Sequence, residues 1–403
     1  MRRRAALHQH ARRGGAGRRV SALPQARRVS SAPELLTIEW ADGAISEFTS
    51  LWLRDNLRED RDAHSGQRLI DITELPDRPR IRSAVAEGGS VRLEWEDESR
   101  PAAFALSWLA AHAAGRAPPR PELEVRLWLE GAALDAKRDF AWIGLEEAQR
   151  EPSARLGWLT HLLQDGIAFL DGMPAEEAAL LRVVPLLGRV LETNYGPAFD
   201  VRSVPQPENL AYSDLGLGLH TDNPYREPVP GFQALHAVIA SNEGGDSLFA
   251  DGFALAEHLR VIAPEAFARL TTTAVPFHYR SQDAELYAER PLIELSATGR
   301  VASVHYNNRS IAPLNLDARE TPAFYSAYRR FAALLRDPRF QLRTHLANGT
   351  LVVFDNQRVL HGRTAFSSAR HARHLRGCYL MRDSVYGATA LLRRELTETG
   401  TKT

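Results

Sequence analysis

Two stretches decide how this chain is read: Leu219-His220-Thr221-Asp222 and, far downstream, Leu351-Val352-Val353-Phe354 running on towards Val359-Leu360-His361-Gly362-Arg363. In extended backbone successive side chains alternate between faces, so His220 and Asp222 project to the same side. The continuous apolar run from Leu351 to Phe354 reads as a buried strand. His361 follows it. Two imidazoles and one carboxylate form the donor set of a facial triad for Fe(II), which leaves positions open for chemistry. A His-x-Asp pattern alone carries little weight, because it recurs by chance. Arg373, twelve residues beyond His361, changes that weighting. On the next strand it can point into the same cavity, where its guanidinium fork would grip a carboxylate through two bonds. Arg370 and Arg376 read as surface charges.

The surrounding sequence supplies a scaffold for such a cavity. From Asn209 to about Ala250 short extended runs alternate with Gly- and Pro-rich turns. Ala178, Leu181 and the run from Pro185 to Leu191 have a helical pattern that Pro185 bends. Thr321-Pro322 opens a further helix, with Phe324, Tyr328, Phe331 and Leu335 at helical spacing. Short strands with an inserted helix predict a mainly β fold with α decoration, a double-stranded β-helix (jelly roll). A small β-rich domain is expected before it. Leu36 to Trp40 and Ala44 to Phe48 flank the hairpin signal Asp42-Gly43. Thr37-Ile38-Glu39-Trp40 with Phe48 is echoed by Arg92-Leu93-Glu94-Trp95 with Phe104, and each copy leads to a tryptophan, Trp52 or Trp108. Pro118, Pro119 and Pro121 mark a linker. The domains are therefore drawn at 34–117 and 118–395. Residues 1–33, with nine arginines and no acid, are set aside as a basic, disordered tail.

Composition narrows the function classes. Formal net charge is zero, so no overall basic field speaks for nucleic acid. No apolar run reaches the length of a membrane span. The single cysteine, Cys378, excludes an internal disulfide and suits a reducing compartment such as the cytoplasm.

Several ordered motifs carry a resemblance: Asn194-Tyr195-Gly196-Pro197, Asn209-Leu210-Ala211-Tyr212, Leu219-His220-Thr221-Asp222, Gly244-Gly245-Asp246-Ser247, Asn307-Asn308, Phe354-Asp355-Asn356, Leu360-His361-Gly362-Arg363 and Arg373-His374-Leu375. Together they resemble the TauD/TfdA-type 2-oxoglutarate dioxygenases, in the branch of the gamma-butyrobetaine and trimethyllysine dioxygenases. The resemblance spans roughly residues 35 to 390. It implies Fe(II) on His220, Asp222 and His361, 2-oxoglutarate held by Arg373 with Ser247, O2 as oxidant, and ascorbate as an accessory reductant. It implies hydroxylation of a small trimethylammonium compound, gamma-butyrobetaine first. The phosphonate analogue 2-(trimethylammonio)ethylphosphonate and trimethyllysine are the alternatives. A homodimer is among the assemblies it allows.

Carried over by motif, an aromatic cage for the quaternary ammonium falls on Tyr195, Phe199, Tyr212 and Tyr379. Such a cation offers no hydrogen-bond donor and is recognised by ring faces. Asn209 with Asn307 or Asn308 are candidates for the substrate's anionic end. Two departures bear on that end. Asn223 stands where relatives carry a tyrosine, and Arg309 follows the paired asparagines, changes that could tune the site towards a phosphonate. In the N-terminal domain the family's structural zinc site follows an Arg-Asp-Asn stretch, here Arg54-Asp55-Asn56. The ligand positions hold Leu57, Glu59, Asp62 and Ser99, so no zinc is expected. The competing class, a catalytically silent jelly-roll binding protein, sits poorly with retention of the three ligands and Arg373.

Overall fold

The computed structural model describes residues 25–96, 98–113, 124–129, 134–202, 216–240, 244–365 and 373–400. The chain divides into two compact units, Met1–Glu122 and Leu123–Thr403.

The first unit contains two three-stranded antiparallel sheets. One is β1 (Ala26–Ala32), β2 (Leu35–Trp40) and β3 (Ile45–Thr49); the other is β4 (Ile81–Glu87), β5 (Ser90–Trp95) and β6 (Ala102–Ala105). The echo in the sequence is an echo in structure. Leu36, Ile38 and Trp40 alternate inward from β2, as Val91, Leu93 and Trp95 do from β5. Each sheet runs into a short helix, Ser50–Asp55 or Leu106–His112, and the Trp52 and Trp108 rings meet at 5.3 Å. All of these side chains belong to one apolar cluster. Gly43 takes φ +84° at the β2–β3 turn, a conformation that glycine adopts without steric cost. One boundary is corrected. Residues 26–32, set aside with the basic tail, form β1, and Val29 packs on the shared core. The arginines of this strand point outward and hid a strand inside a charged run.

The second unit is built on two sheets. The larger has the order β7 (Trp142–Gly144), β8 (Ile167–Asp171), β18 (Leu351–Asp355), β11 (Phe232–Ile239), β20 (His374–Leu380) and β9 (Phe199–Arg202). It is antiparallel except for β7 against β8. The smaller, fully antiparallel, has the order β10 (Leu217–His220), β19 (Val359–Arg363), β12 (Ser247–Asp251) and β17 (Leu342–Thr344). One apolar cluster draws Phe169, Leu235, Phe354 and Leu375 from the larger sheet and Phe249, Leu342 and Val359 from the smaller. Two hairpins, β13 (Val275–Arg280) with β14 (Glu285–Arg290) and β15 (Ile293–Leu295) with β16 (Val301–Val304), complete the strands. The continuous run at 351–355 is buried throughout, as its lack of alternation predicts.

Helix Thr321–Arg336 buries Phe324, Ala327, Phe331 and Leu335 as one stripe. Near Pro185 the helix Ala179–Val183 tightens into a 3₁₀ turn, Val184–Leu186. Strand and helix take similar shares, 33% and 32%, so the expectation of a mainly β chain is corrected to a mixed, sheet-rich one. The helices that shift the balance, such as Pro152–Asp165 and Arg382–Gly400, lie outside the motif-bearing stretches on which that expectation was built. Arg358 fixes the turn that launches β19. It is almost fully buried, pairs with Asp251 at 2.8 Å and donates to the carbonyls of Gln164 and Arg126.

Candidate active site

β10 and β19 are neighbours in a register that sets His220 directly opposite His361. Their rings therefore project to the same side, with centroids 4.3 Å apart. The strand ends at His220, so Asp222 does not reach the site by simple β alternation. Its backbone is held by Asn356, whose Oδ1 accepts from Asp222 N at 2.7 Å and whose Nδ2 donates to Asp222 O at 3.0 Å. Thr221 N donates to Tyr306 O at 2.7 Å, and Asn307 Nδ2 donates to Thr221 O at 3.1 Å. The outcome is the geometry that a facial triad needs. His220 Nε2 lies 3.2 Å from Asp222 Oδ1, His361 Nε2 lies 3.6 Å from Asp222 Oδ2, and the three donor atoms fall within 4.8 Å of one another.

The protonation states fit a metal as well. His220 Nδ1 lies 2.9 Å from the Gly218 carbonyl, which fixes the tautomer and leaves Nε2 free to ligate. Burial, then the neighbouring His220, holds His361 down to about 3, so its imidazole is neutral. Burial alone would raise the Asp222 carboxyl. His361, His220 and the Tyr379 hydroxyl, 2.8 Å from Oδ2, outweigh it and keep the group ionised. Two imidazoles and a carboxylate suit Fe(II).

The cavity over these donors has two ends. At one, Ser247 lies opposite Arg363 on β19, and Arg373 enters just before β20. Both arginines are buried. Burial, then repulsion from Arg363, draws Arg373 down to about 10, still charged at neutral pH. Two buried guanidiniums and a hydroxyl constitute an anion site. At the other end β20 presents Tyr379, and β9 presents Phe199 at 4.9 Å from it. Gly377 makes this contact feasible, since a Cβ there would lie 2.5 Å from the Phe199 ring. Tyr195 meets Phe199 edge-on at 6.4 Å.

Three expected cage members thus line one cavity with the triad, Arg373 and Ser247. Tyr212, Asn209 and Arg370 lie outside the described residues. Arg376 pairs with Asp200 at 2.6 Å. Asn307 and Asn308 do not enter the cavity. Asn307 is buried and serves as the backbone clamp described above, and Asn308 Oδ1 accepts from Tyr328 at 2.7 Å. Of that stretch only Arg309 lines the cavity. Sequence reasoning missed Asn356 as the clamp of Asp222, although it was part of a quoted motif. It also missed Gln233 and Arg363 as cavity residues. Arg363 stands two residues beyond His361 on the same strand and so faces the same way, a signal that was available.

With this geometry in view, the comparisons with known proteins agree. The profile of the taurine catabolism dioxygenase TauD, TfdA family matches residues 138–379, and the chain belongs to that family. A gamma-butyrobetaine hydroxylase-like N-terminal profile matches residues 27–110, starting within β1. Gamma-butyrobetaine dioxygenase of Pseudomonas sp. (strain AK-1) is 34% identical over 368 residues, covering 89% of this chain and 94% of the relative. Dioxygenase str8 of Strobilurus tenacellus is 30% identical, covering 85% and 84%. Trimethyllysine dioxygenase of Meyerozyma guilliermondii is 25% identical, covering 89% and 94%. The protein is a 2-oxoglutarate-dependent dioxygenase, with Fe(II) as metal and 2-oxoglutarate as co-substrate.

Proposed function

We propose that this enzyme hydroxylates a small trimethylammonium compound, gamma-butyrobetaine first among them, to give carnitine. The observation that carries the reading is the cluster of Tyr195, Phe199 and Tyr379 on the wall of the cavity that holds the triad. Ring faces attract a quaternary ammonium by about 0.5–2 kcal/mol per contact and satisfy a cation that cannot donate hydrogen bonds. The named activities of the relatives, gamma-butyrobetaine and trimethyllysine dioxygenases, support it. So does the disposition of the two sheets, which we read as the halves of a double-stranded β-helix with its cavity between them. The lone, buried Cys378 is in keeping with a cytoplasmic enzyme.

When bound, the metal and co-substrate supply the oxidising chemistry: O2 is consumed, 2-oxoglutarate leaves as succinate and CO2, and one substrate C–H becomes C–OH. The protein's contribution is placement. His220, Asp222 and His361 would hold the metal through their converging donor atoms. Arg373, with Ser247, orients the far carboxylate of 2-oxoglutarate. The cage of Tyr195, Phe199 and Tyr379 would hold the trimethylammonium group in the cavity that carries the triad. Leu235 and Leu375 add apolar lining to the cavity.

The test compares gamma-butyrobetaine with 4-aminobutyrate, its primary-amine counterpart, by succinate and hydroxylated product. A primary ammonium keeps its formal charge but would leave its donors unpaired against ring faces. Strong preference for the trimethylated compound is expected. Equal use of both would overturn the cage and the substrate class, and leave the iron site standing.

A further inference from the structure

The face of the larger sheet that turns away from the cavity carries a polar cluster with no part in the chemistry described so far. β9 is a four-residue edge strand, paired on one side only, with β20. Its alternation puts Phe199 and Val201 on the cavity wall and turns Asp200 away from it. On β20 the same rule sends Leu375 and Tyr379 to the cavity and turns His374 and Arg376 to the other face. Asp200 stands directly opposite Arg376 and diagonally from His374. Both reach it. Arg376 Nη1 donates to Oδ2 at 2.6 Å, and His374 Nε2 lies 2.7 Å from Oδ1. An ionised carboxylate only accepts, so that nitrogen carries the proton. Burial alone would raise the Asp200 carboxyl; the bonds from Arg376 and His374 outweigh it and hold it below its ordinary value.

Two further groups face this cluster. Glu177 Oε1 lies 4.0 Å from His374 Nδ1, but its side chain is 55% exposed and such a pair is worth little. His236, opposite Arg376 on β11, has no partner among the described residues. The tie between β9 and β20 on this face is therefore Asp200 with its two donors. Its members are chain neighbours of the groups that matter inside. Asp200 follows Phe199, whose ring packs over Gly377 and against Tyr379, and His374 follows Arg373. A four-residue edge strand has few backbone bonds, so cross-strand side-chain pairs carry a larger share of its placement.

We propose that Asp200 is a positioning residue for both ends of the cavity: tying β9 to β20 from the far face of the sheet, it sets Phe199 against Tyr379 and holds the start of β20, and with it Arg373, in place. The inference rests on the cage and on Arg373 as the 2-oxoglutarate anchor, as read above. It adds that one carboxylate outside the cavity controls the affinity of two ligands inside it.

The test uses titration calorimetry on full-length enzyme under nitrogen: Fe(II) into metal-free protein, then 2-oxoglutarate, then gamma-butyrobetaine, with urea unfolding of each sample. Asp200→Asn keeps the shape but leaves one acceptor oxygen for two donors. It should raise the dissociation constants of 2-oxoglutarate and gamma-butyrobetaine together by about two- to tenfold, the net worth of one hydrogen bond, and leave that of iron within about twofold by the same measure. Phe199→Ala and Arg373→Ala should each move chiefly its own ligand. His374→Leu should repeat the double effect, and His374→Gln, whose amide can still donate to Asp200, should restore most of it. If Asp200→Asn lowers stability but keeps both constants at wild type, the role is structural only and the assignment is overturned; a change in one ligand alone overturns it too. If Asp200→Asn does not fold, Arg376→Gln takes its place under the same criteria. If Phe199→Ala spares gamma-butyrobetaine, the cage reading fails instead. The 2-oxoglutarate constant of Asp200→Asn then decides the positioning of Arg373: a rise supports it, and a wild-type value overturns it.

Discussion

The N-terminal unit and the catalytic cavity both bury polar groups, and they treat them in opposite ways. In the first, Arg54 is satisfied from within. Its guanidinium pairs with Asp60 and, at 2.6 Å, with Glu98, and Arg100 closes on Asp60 at 2.7 Å. These ion pairs lie around the Arg54-Asp55-Asn56 stretch, beside the unit's tryptophan-rich core. In the second, the cavity keeps polar atoms that have no partner among the described residues, such as Asn223 Nδ2, Gln233 Oε1 and His361 Nδ1. Folding pairs buried polar groups almost everywhere, so leftovers that converge on one cavity mark where a ligand completes the structure.

The difference is broken most severely at the triad. His361→Ala should bring turnover to background and abolish stoichiometric iron binding, because two donors do not hold the metal in a defined geometry. The fold should survive, since the removed group serves the ligand and not the core. Metal analysis and urea unfolding of the same sample check both halves. Arg54→Ala is the converse. It should leave iron binding and the KM for 2-oxoglutarate alone but destabilise the first unit by about 3 kcal/mol, the low end of what breaking a buried pair costs. Loss of activity with unchanged stability would show that the two units are not divided in this way.

Arg373→Ala sharpens the contrast within the cavity. Losing a charge-assisted, two-pronged bond is worth about 1.5–3 kcal/mol. The KM for 2-oxoglutarate should therefore rise by about 10- to 100-fold, with much less change for the substrate. An unchanged 2-oxoglutarate dependence would assign that carboxylate to Arg363.

His236 tests whether an unsatisfied group can exist without a ligand. By alternation it faces away from Gln233 and Leu235 on β11, it is fully buried, and neither ring nitrogen has a partner among the described residues. Burial, then nearby His374, holds it down to about 4. The folded pKa lies below the unfolded one, about 6.5, so protonation favours the unfolded chain. Stability is lost as pH falls from about 6.5 and levels off below about 4, with roughly 2 kcal/mol gone by pH 5. His236→Leu should flatten this limb in urea unfolding followed against pH. Parallel acid limbs in the two proteins would clear His236 of the effect.

The triad was legible because its donors sit in motifs whose spacing is local, and the echo in the first unit because Trp40 and Trp95 close the same alternating pattern. The jelly-roll expectation came from short strands, yet what aims Asp222 is Asn356, more than a hundred residues away and in contact only once β18 and β10 are in place. Asn307 shows a related limit, being found here as a clamp on the Thr221 carbonyl. An amide that clamps a backbone carbonyl and one that binds substrate look alike in sequence, and only the folded geometry separates them. β1 was hidden because its two arginines, Arg27 and Arg28, are both exposed and read as part of the charged run before them.

The smallest effect concerns Tyr379, where the two kinds of polar group meet in one side chain. Its ring forms part of the proposed cage with Phe199, and its hydroxyl donates to Asp222 Oδ2 at 2.8 Å. Burial, then the adjacent Asp222 charge, raises the phenol well above its usual range, so the hydroxyl stays a donor across the working pH. Tyr379→Phe keeps the ring and removes only that bond. A single hydrogen bond nets about 0.5–1.5 kcal/mol, so iron affinity should fall by roughly two- to tenfold. Affinity for the trimethylammonium ligand should stay near wild type, because the ring face is retained. Tyr379→Ala should lose both. Titration of iron into metal-free protein, beside ligand titration of the loaded enzyme, gives the two numbers separately. If Tyr379→Phe weakened the ligand and spared the iron, the hydroxyl would belong to substrate recognition, and the division between groups that serve the metal and groups that serve the cage would have to be redrawn at this residue.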